Sequence, residues 1–187
     1  LTDSPVALGL TMTIRFLPAL VFSLYGGILA DRLPKRRTIM AAQTLQMLIA
    51  LTMAVLVSTG AVTVLLIYVL AGVRGMVDSV EGPTRQAFVP EMVGNHDLSN
   101  AVALNSTSFN AARIAGPAVG AVIISTLGIA ACFYLNAFSF LAVIGGLWAM
   151  RTSELHTAGG GPTAGQGTRL RDGFRYVRAT PEIMVIF

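Results

Sequence analysis

The sequence has 187 residues, of which 54% are hydrophobic and only 12% charged, with a formal net charge of +4 and a mean hydropathy of +0.71. A soluble domain carries about 25% charged residues, so this composition excludes an ordinary soluble fold and points to lipid as the solvent. The positive balance does not indicate nucleic acid, because the cations fall between apolar stretches rather than along one polar face. The single cysteine, Cys132, lies inside an apolar stretch and excludes a disulfide framework.

In chain order, five stretches reach the roughly 20 apolar residues that a spanning helix needs: about residues 8–30, 38–58, 61–80, 101–126 and 127–150. Helices are expected throughout, since backbone groups in lipid must be satisfied within the segment, and nothing alternates with the period of a β-barrel strand. The chain opens on Leu1 without the basic start of a signal peptide and closes on Ile183-Met-Val-Ile-Phe187, the start of a further apolar run. It reads as a piece of a longer membrane protein.

Between the first two stretches lies Gly27-Ile-Leu-Ala-Asp-Arg-Leu-Pro-Lys-Arg-Arg37, with Asp31 followed by Arg32, Lys35, Arg36 and Arg37. A loop this short makes a tight hairpin, and cationic loops stay on the cytoplasmic side. Of the 13 Lys and Arg residues, ten fall in loops on that side, three fall inside spans (Arg15, Arg74 and Arg113), and the loops opposite carry none. The N-terminus is therefore expected outside and the segment 151–182 inside. That segment begins as a Gly-rich linker and continues as a short basic helix with Leu170, Phe174 and Val177 at helical spacing. It suits either the inner leaflet or packing against the protein body.

Ionisable groups inside a span are candidate functional residues by default. Arg15, with Pro18 a turn later, sits toward the outer side, where snorkelling to the interface would satisfy it. The third stretch carries Arg74, Asp78 and Glu81 at offsets of four and three, hence on one face. Asp78 is placed to neutralise Arg74, either as a structural ion pair or as part of a coupling site. Gln43, Gln46 and Asn136 suit interhelical hydrogen bonds or a cavity lining. On the fourth stretch Ser106, Asn110, Arg113 and Pro117 form a polar stripe, expected to face a water-filled cavity, with Asp78 a possible partner for Arg113. Ala112, Gly116 and Gly120 make a small-residue stripe for close helix packing, and Pro117 frees a carbonyl and can kink the helix.

Two of these stretches carry a family likeness. The spacing Gly27-x3-Asp31-Arg32-x3-Arg36-Arg37 resembles the signature loop of the major facilitator superfamily, except that Pro34 stands where a second glycine is usual. The run Asn110-Ala-Ala-Arg-Ile-Ala-Gly-Pro-Ala-Val-Gly120, with Pro83–Pro90 and Asn100–Asn105 before it, resembles the exporter branch that includes the enterobactin exporter and macrolide-efflux proteins. Gly116, Pro117 and Gly120 are similar to the antiporter motif of drug exporters, with Ala112 in place of its first glycine.

The resemblance implies an all-α membrane protein with the major facilitator fold, this chain supplying helices two to six of twelve and the start of the seventh. It implies a secondary active exporter in the bacterial inner membrane, working by alternating access and driven by protons. The cargo would be a small amphipathic molecule such as a drug or siderophore, and the protein a monomer in lipid. Asp31 and the arginines after it would form a gating loop, and Arg74 resembles an arginine implicated in proton coupling, although the glycine-rich consensus after it is poorly kept.

No nucleotide-binding loop, catalytic constellation, cofactor site or metal site is expected. His96 and His156 stand in loops without cysteine or histidine partners. The alternative is a non-transporting polytopic membrane protein, such as an assembly subunit, or a channel.

Overall fold

The computed structural model describes residues 5–94, 96–152 and 155, and the side chains of these except 22–32. Among them are four helices: α1 (Pro5–Arg32), α2 (Lys35–Thr59), α3 (Val64–Val93) and α4 (Leu98–Ala149). The basic linker expected at 151–182 lies almost wholly outside the described residues.

Local chemistry explains the helix ends. Gly60 closes α2 at φ +70°, a conformation that costs glycine little, while the Ala61 N–H donates to the Leu56 carbonyl at 3.0 Å. Thr63 caps α3 by accepting from the Leu66 N–H at 3.3 Å. α4 is two arms: Gly128, at φ +85° and ψ 169°, breaks it between 98–127 and 129–149. The hydropathy pattern places the same division one or two residues earlier.

α3 runs to Val93, well past the stretch that ends at residue 80 by sequence. The cluster Glu81-Gly-Pro83 reads as a helix stop, but proline removes only one backbone donor, and tertiary packing can offset that loss. Here Thr84 and Phe88 are both buried beyond it. Thirty residues make a helix of about 45 Å, longer than the roughly 30 Å hydrocarbon core. The charged residues Glu81, Arg85 and Glu91 fall in the C-terminal half of α3.

The helices alternate in direction. Gln46 faces Asp78 and Lys35 faces Glu91, so α2 and α3 are antiparallel. Ser58 meets Tyr134 and Arg36 meets Leu147, so the 129–149 arm is antiparallel to α2. α1 lies along α3, where Gly72 faces Ile14 and a Cβ at Gly75 would overlap the Arg15 carbonyl and reach Pro18 Cγ at 3.2 Å. Glycine at 75 is what lets these two backbones approach.

Large apolar side chains are exposed, while polar ones are buried beside apolar residues such as Ile39, Ala54 and Phe88. Ile114, Leu20 and Trp148 are 75–80% exposed, whereas Gln43, Gln46, Glu81 and Thr84 are buried. Apolar side chains outside and hydrogen-bonded polar side chains inside suit lipid as the surrounding medium. Two helices, α2 and α4, each contain an apolar window long enough to cross a membrane by length and composition.

Candidate transport site

The site is built where α1, α2 and α3 converge. Gln43 and Gln46 stand three residues apart on α2, and Asp78 and Glu81 stand three apart on α3. On antiparallel helices that matched spacing lets the pairs face each other. Glu81 accepts from Gln43 Nε2 at 2.6 Å, from Gln46 Nε2 at 2.6 Å and from Arg85 Nη2 at 2.9 Å. Gln46 Nε2 also donates to Asp78 Oδ1 at 3.0 Å, so one carboxamide bridges both carboxylates. Three donors on one buried carboxylate leave neither oxygen without a partner, as burial requires.

Asp78 is shared differently. Its Oδ2 lies 3.5 Å from Arg15 Nη2 on α1 and 3.9 Å from Arg74 Nε on α3. Arg15 therefore does not leave for the outer interface, as snorkelling would require. The close approach at Gly75 brings α1 near enough for its guanidinium to turn inward, where it also lies 5.8 Å from the Phe16 ring. Arg74 Nε is buried and has no hydrogen-bond partner, so its long contact with Asp78 leaves it incompletely satisfied.

Two cavities flank this network. One of about 550 Å³ lies on the side of the 32–37 loop, lined by Gln43, Glu81, Phe109, Ser139 and Phe140 among others. The second, of about 340 Å³, lies toward the opposite side, lined by Thr11, Ile49, Met53, Leu70 and Phe133, with Arg15 on its wall. Arg74 and Asn136 line both and so stand between them.

At the loop end, Lys35, Arg36 and Arg37 all fall in the first turn of α2, where the helix dipole disfavours positive charge. Two of them are offset by partners elsewhere. Lys35 Nζ bonds Glu91 Oε1 at 2.5 Å, and Arg36 donates to the carbonyls of Leu147 at 2.6 Å and Trp148 at 2.8 Å. Those carbonyls belong to the C-terminal end of α4, the pole of a helix that favours a cation. Arg37 is exposed. Gly27, Asp31 and Arg32 lie on the last turns of α1, outside the described side chains.

The fourth-stretch candidates are placed apart. Asn110 and Arg113 lie on the 98–127 arm, exposed, and line neither cavity. Asp78 is occupied by Arg15, Arg74 and Gln46 rather than by Arg113. A Cβ at Gly116 or Gly120 would meet nothing within 4 Å, so no described helix packs on that stripe. The non-helical backbone of α4 is at Gly128, not at Pro117. The sequence reading puts Glu81 on the face of Arg74 and Asp78 and gives Gln43 and Gln46 as interhelical hydrogen bonds or cavity lining; the structure makes them both, joined in one network. Among the described residues no group of His, Cys, Asp and Glu is arranged to hold a metal.

Comparison with known proteins decides the family. The family model described as "Transmembrane secretion effector", a branch of the major facilitator superfamily, matches residues 1–187. The chain belongs to this family. Among curated relatives of this major facilitator chain, the staphyloferrin A transporter of Staphylococcus aureus is 30% identical over 141 residues, 74% of this chain and 36% of that protein. The multidrug efflux pump Tap of Mycolicibacterium fortuitum is 29% identical over 181 residues, 91% of this chain and 43% of that protein. An uncharacterised major facilitator transporter of Bacillus subtilis, YfiS, is 31% identical over 137 residues, 73% of this chain and 32% of that protein. The chain thus spans between a third and somewhat over two fifths of the length of these relatives. No solved structure matches. The fold class is that of an all-α major facilitator membrane protein.

Proposed function

We propose that this chain forms part of a proton-coupled exporter that moves a small amphipathic molecule, of the drug or siderophore class, outward across the bacterial plasma membrane by alternating access. The observation that carries the reading is Asp78: one carboxylate of α3 that is held by Arg15 of α1, Gln46 of α2 and Arg74 of its own helix, beside a cavity of about 550 Å³. A carboxylate within a membrane span is costly to keep. If it takes up a proton, its two ion pairs weaken together, and α1 loses a charge contact with α3. That converts proton uptake into a change in helix contacts, which alternating access requires.

The loop of Asp31, Arg32, Arg36 and Arg37 acts as the cytoplasmic latch in this reading. Lys35 on Glu91 and Arg36 on the end of α4 support it, because these bonds tie α2, α3 and α4 together at one end. Arg113 and Asn110, on an uncovered arm, face the remainder of the transport pathway. The names of two relatives, a staphyloferrin A transporter and a multidrug efflux pump, support a small-molecule cargo of this class.

The test uses the full-length protein in proteoliposomes holding a pH-sensitive dye, with amphipathic drugs and siderophores offered in turn. Proton movement should appear only with a transported compound and should vanish in Asp78→Asn. Current without any substrate indicates a channel instead, and cargo movement by Asp78→Asn with undiminished proton flux removes Asp78 from the coupling role.

A further inference from the structure

The charges around the smaller cavity do not balance. Arg15 and Arg74 both line it, and both turn to a single oxygen, Oδ2 of Asp78, at 3.5 and 3.9 Å. Neither distance is that of a good charged hydrogen bond, which is about 2.7–2.9 Å. Glu81 does not relieve them, since its oxygens are taken by Gln43, Gln46 and Arg85. The other described carboxylates are engaged elsewhere, Glu91 with Lys35 and Asp97 with His96. Among the described residues, two guanidinium groups therefore share one carboxylate.

Arg74 Nε adds a second observation. It is buried without a hydrogen-bond partner, a standing cost that shows Asp78 leaves this guanidinium incompletely satisfied. The rest of the wall is mostly apolar, with Ile49, Met53, Leu70 and Phe133 against two neutral polar side chains, Thr11 and Asn136. A mostly apolar chamber with surplus cations on one side selects a ligand with an apolar body and one anionic group.

We infer that this cavity of about 340 Å³ is a subsite for an amphipathic anion, whose carboxylate or comparable oxyanion binds Arg15 and Arg74 in competition with Asp78. The inference rests on the transport reading above and narrows its cargo class. It also makes Asp78 a rival of the cargo: the ligand and the carboxylate cannot both hold the two arginines at full strength. A cationic cargo has no place here, because it would add to the surplus.

The experiment places the full-length protein in phosphatidylcholine nanodiscs and titrates three dansyl probes that differ in charge: dansylglycine, its methyl ester, and dansylcadaverine. Emission from empty discs is subtracted. Dansylglycine should bind at least about tenfold more tightly than its ester, the scale of one charge-assisted hydrogen bond, and dansylcadaverine most weakly. Arg15→Gln should remove most of the preference for the acid. Asp78→Asn should move the other way, tightening dansylglycine binding, so the prediction survives if Arg15→Gln does not fold. Equal binding of acid and ester, a preference for the amine, or weaker acid binding in Asp78→Asn overturns the inference. Competition by added phosphatidylglycerol would assign the site to a lipid headgroup and overturn the cargo assignment. None of these binding results depends on proton flux, so the coupling role of Asp78 stands or fails separately.

Discussion

The hydrogen bonds of Glu81 allow a stability prediction with a worked magnitude. Glu81→Leu removes the acceptor of Gln43 and Gln46, both buried, and of Arg85. The Arg85 side chain is 48% exposed, so its share is screened and counts little. Interhelical hydrogen bonds in membrane proteins average roughly 0.6 kcal/mol and reach about 2, which sets the two glutamine bonds at about 1–4 kcal/mol. The upper part of that range is favoured, because each carboxamide is left with a buried unpaired donor, itself costing about 1–3 kcal/mol. Gln46 keeps one acceptor, Asp78 Oδ1, which limits the loss on its side. A fall of about 2–4 kcal/mol is expected, measured by reversible unfolding of the full-length protein in mixed micelles.

The control distinguishes this account from simple loss of packing. Glu81→Leu combined with Gln43→Leu removes a donor and its acceptor together, and such paired replacement can be close to neutral. The double variant should recover about half of what Glu81→Leu loses. If Glu81→Leu costs under about 0.5 kcal/mol, or the double variant is less stable than the single one, the hydrogen-bond account of this site is wrong.

Two further predictions concern helix packing and topology. Gly75→Ala should destabilise the protein by about 1–3 kcal/mol, the usual cost of overpacking, because its Cβ would overlap the Arg15 carbonyl; Gly82→Ala, with open space around it, should change stability little in the same assay. A Leu33→Cys variant in a Cys132→Ser background should resist an impermeant thiol reagent added to intact cells and react in inverted vesicles, and strong labelling of intact cells would reverse the assigned orientation.

The hydropathy profile alone is enough for the class of the molecule, because burial in lipid demands long apolar runs that composition cannot disguise. The Gly-x3-Asp-Arg-x3-Arg-Arg spacing and the Ala-Arg-Ile-Ala-Gly-Pro run are enough for the family, since order along a chain is itself the evidence. The 3.6-residue repeat of the helix also puts Arg74, Asp78 and Glu81 on one face without reference to any other helix.

What the sequence does not contain is the partner of each charge. Snorkelling is the natural expectation for Arg15, since a long cation near a span end has water within reach. Only the crossing of α1 over Gly75 turns it toward Asp78 instead. Asp78 is a possible partner for Arg113 on composition, but proximity decides for Arg15, Arg74 and Gln46. The end of α3 is hidden for a related reason: Glu81-Gly-Pro83 is a local stop signal, and the burial of Thr84 and Phe88 that overrides it comes from other helices. Hydropathy and motif spacing are properties of neighbours in sequence, whereas ion pairing and the bridging of two carboxylates by Gln46 depend on distances between helices, which only the packed structure sets.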